Sequence, residues 1–262
     1  MRIYKYWAVE RQTFEVQGEQ KTGTFYGGSN ESVEDARAKV QAKLDRVKRK
    51  IAGDPRAFNG YEVDIREQVL EEINPQAVIT RNRYGAKVLN VASMMILDID
   101  KPKLSLSGLF SKKDDKSKMY EMVEKLASSK YSQFGFRIYE TFQGVRVIVL
   151  GRDFDPRNAA TTAMMAEFNC DPLYTILCSK QECFRARLTP KPRRMGMKSM
   201  TIRFPREDTD LQTENWLSEY DRRSGDFSVC RFIGQAGAAV PTNDLVHLHD
   251  ELTGASIGRQ LA

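Results

Sequence analysis

Met94-Met95-Ile96-Leu97-Asp98-Ile99-Asp100-Lys101-Pro102 is the stretch on which the reading of this chain turns. Four apolar residues run into two aspartates spaced i, i+2, and Pro102, which cannot donate to a sheet ladder, ends the run. A short apolar run stopped in this way predicts a buried strand. Successive strand side chains point to opposite faces, so Asp98 and Asp100 share one face and Ile99 points the other way. Two carboxylates on one face repel each other unless a cation, basic groups or water compensates them. Closely spaced oxygen ligands suit Mg²⁺ or Mn²⁺ when phosphates complete the shell. The alternative is that both aspartates are solvated where the strand meets its loop.

On the N-terminal side, Val78-Ile79-Thr80 predicts a strand, Arg81–Gly85 a polar turn, and Lys87-Val88-Leu89 leads toward the Asp-x-Asp strand. On the C-terminal side, Leu104–Lys118 reads as a loop into a helix with the apolar stripe Met119, Met122, Val123 and Leu126. A hairpin follows, with Phe136–Glu140 and Val145–Leu150 separated by Thr141-Phe142-Gln143-Gly144. Asn158–Phe168 and Asp171–Glu182 predict helices, as do Leu211–Tyr220 and Asp244–Leu252, with the Gly- and Ala-rich Gly234–Ala239 between the last two. At the start, alternation from Ile3 to Val16 predicts a strand or hairpin. Apolar residues from Val33 to Ile51 at intervals of three and four then predict a helix whose other face is rich in Lys and Arg.

The fold class expected is α+β, a mainly antiparallel sheet with flanking helices. The expected organisation is an N-terminal hairpin and basic helix (1–60), an α+β catalytic-like core (61–206) and a helical C-terminal extension (207–262), packed as one unit.

The chain has 262 residues, ordinary globular proportions of apolar (41%) and charged (29%) residues, and a net charge of +6. No apolar run reaches the roughly 18 residues of a membrane span, and the first residues do not read as a signal peptide, so the expected location is cytoplasmic and no membrane partner is expected. Four cysteines in a chain this long do not predict a disulfide scaffold. Cys170, Cys178 and Cys183 lack the tight paired spacing of a zinc knuckle, and buried thiols are the better reading. The two histidines, His247 and His249, leave little for His-dependent triads or His-rich zinc sites. Their i, i+2 spacing on a helix separates the imidazoles. Carboxylates and cations must carry most of any chemistry.

The charge is concentrated. Between Phe184 and Arg206 stand eight basic residues, Arg185, Arg187, Lys191, Arg193, Arg194, Lys198, Arg203 and Arg206, with no acid, which leaves the rest of the chain at −2 against the total of +6. Pro190, Pro192 and Gly196 favour an extended path over a helix. Converging cations of this kind bind polyanions, and Arg suits bidentate phosphate contact; pairing with acids elsewhere or solvation is the other reading. Arg146 shares a strand face with Ile148 and Leu150, so it needs an anion: Asp98, Asp100, Glu140 or a bound phosphate.

The order of these motifs resembles the archaeo-eukaryotic primase superfamily: an apolar strand ending in Asp98-Ile99-Asp100, a helix, the hairpin with Gly144-Val145-Arg146-Val147, then Arg187-Leu188-Thr189-Pro190. The resemblance covers roughly residues 78 to 206. It implies an RNA-recognition-motif-like sheet, Mg²⁺ or Mn²⁺ held by Asp98 and Asp100 as catalytic residues, and nucleotide triphosphates with DNA or RNA as partners. The expected phosphate or nucleic-acid contacts are Arg146, Arg185, Arg187, Lys191, Arg193 and Arg194, read from the basic strip and the hairpin, and the resemblance covers Arg146 and Arg187 among them. Arg146 stands where the family carries a His, and the candidates for its third acid are Asp153, Asp155 and Glu140. Nucleotidyl transfer is the function implied. The alternatives are a non-catalytic nucleic-acid-binding accessory protein of replication or of a plasmid or phage, and a metal-dependent nuclease using the same acidic pair.

Overall fold

In the computed structural model, residues 1–57, 64–100, 115–205 and 210–262 are described, so most of the expected loop before the second helix, and Arg206, lie outside the described residues. The alternating N-terminal segment folds as a hairpin of Tyr6–Val16 (β1) and Glu19–Ser29 (β2). It turns through Gln17 and Gly18, both at positive φ, as a two-residue turn matched to strand twist requires. The Ser32 hydroxyl accepts from the Asp35 amide and starts helix α1 (Val33–Ile51). Its stripe of Ala36, Val40 and Leu44 is buried against Ala8, Phe14 and Phe25 of the hairpin.

Two antiparallel four-stranded sheets make up the rest of the framework. The first has the order β3-β4-β5-β9, from Gln68–Asn74 (β3), Ala77–Arg81 (β4), Lys87–Val91 (β5) and Phe184–Arg187 (β9). The second has the order β11-β7-β8-β6, from Cys230–Gly237 (β11), Gly135–Thr141 (β7), Gly144–Leu150 (β8) and Ile96–Asp100 (β6). Helix α2 (Asp115–Ser129) crosses from β6 to β7 and packs on β11, β8 and β7. Ile79, Leu89 and Phe184 of the first sheet join Ile96, Leu97, Ile99, Ile138 and Val147 of the second in one core, so β6 is fixed from both sides. Helices α3 (Ala159–Glu167), α4 (Pro172–Gln181), α5 (Leu211–Ser224) and α6 (Asp244–Thr253) bring the described helices to six. Short strands Phe227–Ser228 (β10) and Gln260–Leu261 (β12) pair in parallel.

The mixed α+β class and the antiparallel sheets are as the sequence predicts. The C-terminal segment differs from the expected helical extension, because between its two helices it supplies β11, the strand that closes the second sheet beside β7. The Gly- and Ala-rich stretch between the last two helices begins inside this edge strand, whose burial alternates. Its register shifts between Phe232 and Gly234, and a Cβ at Gly234 would meet the Tyr120 hydroxyl at 2.8 Å, so a small residue lets this strand lie under α2.

Gly144 opens β8 opposite Asp100, and a Cβ there would collide with the Ile99 carbonyl oxygen. Gly144→Ala is therefore expected to destabilise the fold by about 2–4 kcal/mol, since backbone rather than a flexible side chain must yield. Urea denaturation would measure this, and an unchanged midpoint would contradict the close approach.

Candidate functional site

Strand pairing builds the site. Asp98 of β6 lies directly opposite Arg146 of β8, with Asp100 opposite Gly144, so Asp98 and Arg146 share a sheet face. Every residue of β8 is buried, which places Arg146 inside the protein at 3% exposure. Strand β9 delivers the basic strip from the neighbouring sheet. Beyond Arg187 the chain is held to α5: the Lys87 amide donates to the Thr189 hydroxyl, which bonds the Tyr220 hydroxyl, and Tyr220 donates to the Pro190 carbonyl. A single 3₁₀ turn, Pro192–Met195, then buries Pro192 and Met195 and closes at Gly196. The strip is thus a pinned, partly buried path.

The guanidinium of Arg146 donates through Nη1 to the Arg187 carbonyl at 3.0 Å and to His249 Nε2 at 3.2 Å. Among the described residues no carboxylate reaches it within ion-pair distance, and the buried Nε atoms of Arg146 and Arg187 have no hydrogen-bond partner. A buried, unpaired cation is costly, and the half-buried Arg187 beside it adds to that cost. Burial and the neighbouring Arg146 push the Arg187 guanidinium down to about 10. Burial, followed by Arg187 and Arg194, lowers Lys191, and burial lowers Arg194. On the acidic side, burial and then Asp98 raise the Asp100 carboxyl, with Lys191 opposing. Asp98, Asp100, Lys191 and Arg194 therefore lie within one another's fields at the end of β6, and Arg187 feels Asp98, Arg194 and Arg146.

Behind Arg146 lies a second set of polar groups, from α6. An arginine only donates, so His249 Nε2 must accept, and the proton sits on Nδ1, 3.0 Å from Asp250 Oδ1. His249 is fully buried, and burial, opposed by Asp250 and reinforced by Arg146, pushes it down to about 4. Burial alone would raise Asp250. Hydrogen bonds from His249, Tyr139 and Arg137 outweigh that and hold it below the usual carboxylate range. Tyr139 donates to Asp250 at 2.5 Å, and Arg137 reaches the other oxygen while lying 3.9 Å from the Phe232 ring.

Two of the expected phosphate contacts lie elsewhere. Arg185 is held by Glu67 at 2.6 Å on the first sheet, and among the described residues exposed Arg193 donates to the Ser199 hydroxyl. The candidates for a third acid are likewise committed elsewhere: Glu140 to Lys116 and Arg231, Asp153 to Ser93, Asp155 to Arg157. The acid that does approach is Asp171, whose amide donates to the Asp98 carbonyl at 3.0 Å and whose charge raises Asp100. Its side chain caps α4 by accepting from the Leu173 amide, the capping role that Asp-Pro at a helix start signals. Among the described residues no group of three or more His, Cys, Asp or Glu side chains gathers tightly enough to hold a metal ion. All four cysteines are free and buried, and Cys170 accepts from the Asp98 amide. No described helix is long and apolar enough to cross a membrane.

Set against family models, curated proteins and solved structures, the chain matches none of them.

Proposed function

We propose that the end of β6 binds the phosphates of a nucleotide or nucleic acid around a divalent cation, in the manner of a divergent primase-polymerase. The observation that carries this is Arg146: a buried guanidinium with no carboxylate in contact among the described residues, beside Arg187 with its own orphaned Nε. Such groups are stabilised by a strong external anion, and phosphate oxygens match a guanidinium in geometry and charge. The acidic pair gives the complementary half. Two carboxylates on one strand face suit an ion such as Mg²⁺, which keeps its waters and takes phosphate oxygens instead of needing an all-protein cage. Bound there, Mg²⁺ or Mn²⁺ would activate an attacking 3′-hydroxyl and neutralise leaving pyrophosphate. With the pair neutralised, Arg146, Arg187, Lys191 and Arg194 remain to hold phosphates. The order β6-β8-β7 with α2 as crossover supports the RNA-recognition-like reading of this sheet, although the fourth strand joins beside β7.

A second reading, a non-catalytic nucleic-acid binder, is favoured by the lack of a three-ligand metal group among the described residues. Incubation with Mn²⁺, labelled deoxynucleotides and primed single-stranded DNA separates the possibilities. Extension and metal-dependent nucleotide binding are expected, and both should be lost in Asp98→Asn/Asp100→Asn. The same variant should be at least as stable without ligand, because burial and Asp98 already disfavour the charged form of Asp100. Nucleotide binding undiminished in the double variant would overturn the proposal. DNA affinity that falls steeply with salt but ignores metal and both aspartates would favour the non-catalytic reading, and strand degradation would indicate a nuclease.

A further inference from the structure

We infer that Phe142 is the stacking platform for the base of the bound nucleotide, so that the site takes nucleoside triphosphates in preference to bare polyphosphate. The inference rests on the phosphate-site reading above and adds to it how the rest of the ligand is recognised. Phe142 sits in the turn between β7 and β8, which is fixed by the Gly144 amide donating to the Thr141 hydroxyl at 3.0 Å. Gly144 pairs with Asp100, so this turn lies at the very edge of the acidic pair. At 43% exposure Phe142 is the one exposed phenylalanine among the described residues.

A single exposed apolar side chain ordinarily needs no explanation. The surroundings of this ring are what set it apart. The guanidinium of Arg194 lies 4.4 Å from the ring centroid, and its Nη2 donates to Gln143 of the same turn at 2.7 Å. The same Arg194 feels Asp98 and Asp100. An open aromatic ring, backed by a cation that also faces the acidic pair, meets both needs of a nucleotide: a π-face for the base and positive charge for its phosphates. A phenyl ring offers no hydrogen bonds to read base edges. The platform is therefore base-tolerant and ranks ligands by stacking area, purines ahead of pyrimidines.

Calorimetric titration in the presence of Mn²⁺, with dATP, dCTP and inorganic tripolyphosphate, tests this on the wild-type chain, Phe142→Ala and Phe142→Trp. Phe142→Ala is expected to weaken dATP by about ten-fold and dCTP by less, with tripolyphosphate unchanged within about two-fold; Phe142→Trp should retain dATP. The tripolyphosphate titration also reports that the variant is folded. Equal dATP affinity in Phe142→Ala and wild type, or equal losses for dATP and tripolyphosphate, would overturn the platform while leaving the phosphate site standing. If the wild type bound none of the three ligands, the phosphate site itself would fall, and the platform with it.

Discussion

Arg146→Met should abolish triphosphate binding without unfolding the protein. Truncating one side of a buried charge-assisted contact costs about 2–5 kcal/mol, or roughly 30- to several thousand-fold in affinity. In the free protein the balance differs, because Arg146 is buried at 3% exposure with no carboxylate against it among the described residues. Replacing a buried charge by an apolar side chain of similar length is often neutral or stabilising by about 1–4 kcal/mol. Against this, the Arg187 carbonyl and His249 Nε2 each lose a donor, at about 1–3 kcal/mol apiece when buried. The two effects nearly cancel, so the melting temperature should stay within a few degrees of wild type while affinity collapses. Calorimetric titration with Mn²⁺ and dATP, paired with a thermal melt, measures both. If Arg146 were a structural residue, the melt would drop and binding to the surviving folded fraction would persist. That pattern would remove the main support for an anion site.

The parts of this arrangement that sequence reveals are those set by local periodicity. The apolar run into Asp98-Ile99-Asp100, the hairpin at Thr141–Gly144 and the stripe of α1 each follow from spacings of two or of three and four, and each forms where expected. The acid-free strip likewise predicts that cations gather, and Arg187, Lys191 and Arg194 do. What spacing cannot reveal is which side chains find partners across the fold. Arg185 stands two residues before Arg187 on the same strand, yet Glu67, separated from it by 118 positions, captures it. Asp171 is legible as a helix cap, but its place beside Asp98 depends on how α4 returns to β6. His249 lies on the last helix, which no local spacing connects to the site. It reaches Arg146 because β11 carries the C-terminal segment across the sheet to β7, and the Gly- and Ala-rich composition of that strand hides its β character. The approach of half-buried Arg187 to buried Arg146 is a tertiary fact of the same kind, since it requires β8 and β9 from different sheets to meet over one core.

Asp250→Ala is expected to cause the largest loss of stability of any substitution near the site. Asp250 accepts from Tyr139, Arg137 and His249, and each of these is wholly or largely buried. Removing the acceptor leaves a guanidinium, a phenol and an imidazole N–H without their partner, an effect of about 3–5 kcal/mol, or about 6–20 °C in a chain of this size. Acid should reproduce part of this through His249. Its folded-state value of about 4 lies below the ordinary 6.5, so between these values the unfolded chain binds the extra proton. Stability is therefore intact above about pH 7 and declines as the pH falls toward 4, by on the order of 2–3 kcal/mol from this one group. The depressed Asp250 adds to the loss at the acid end, because its stabilising charge disappears as the pH falls through its folded value. His249→Gln retains a hydrogen-bonding side chain but cannot titrate. It should flatten the decline between about pH 7 and 4 while leaving the more acidic loss, from Asp250, in place. Thermal melts of the two proteins at half-unit pH steps would decide the matter: parallel curves would mean that His249 is not held neutral by its burial and by Arg146, and the tautomer that links Arg146 to Asp250 would have to be reassigned.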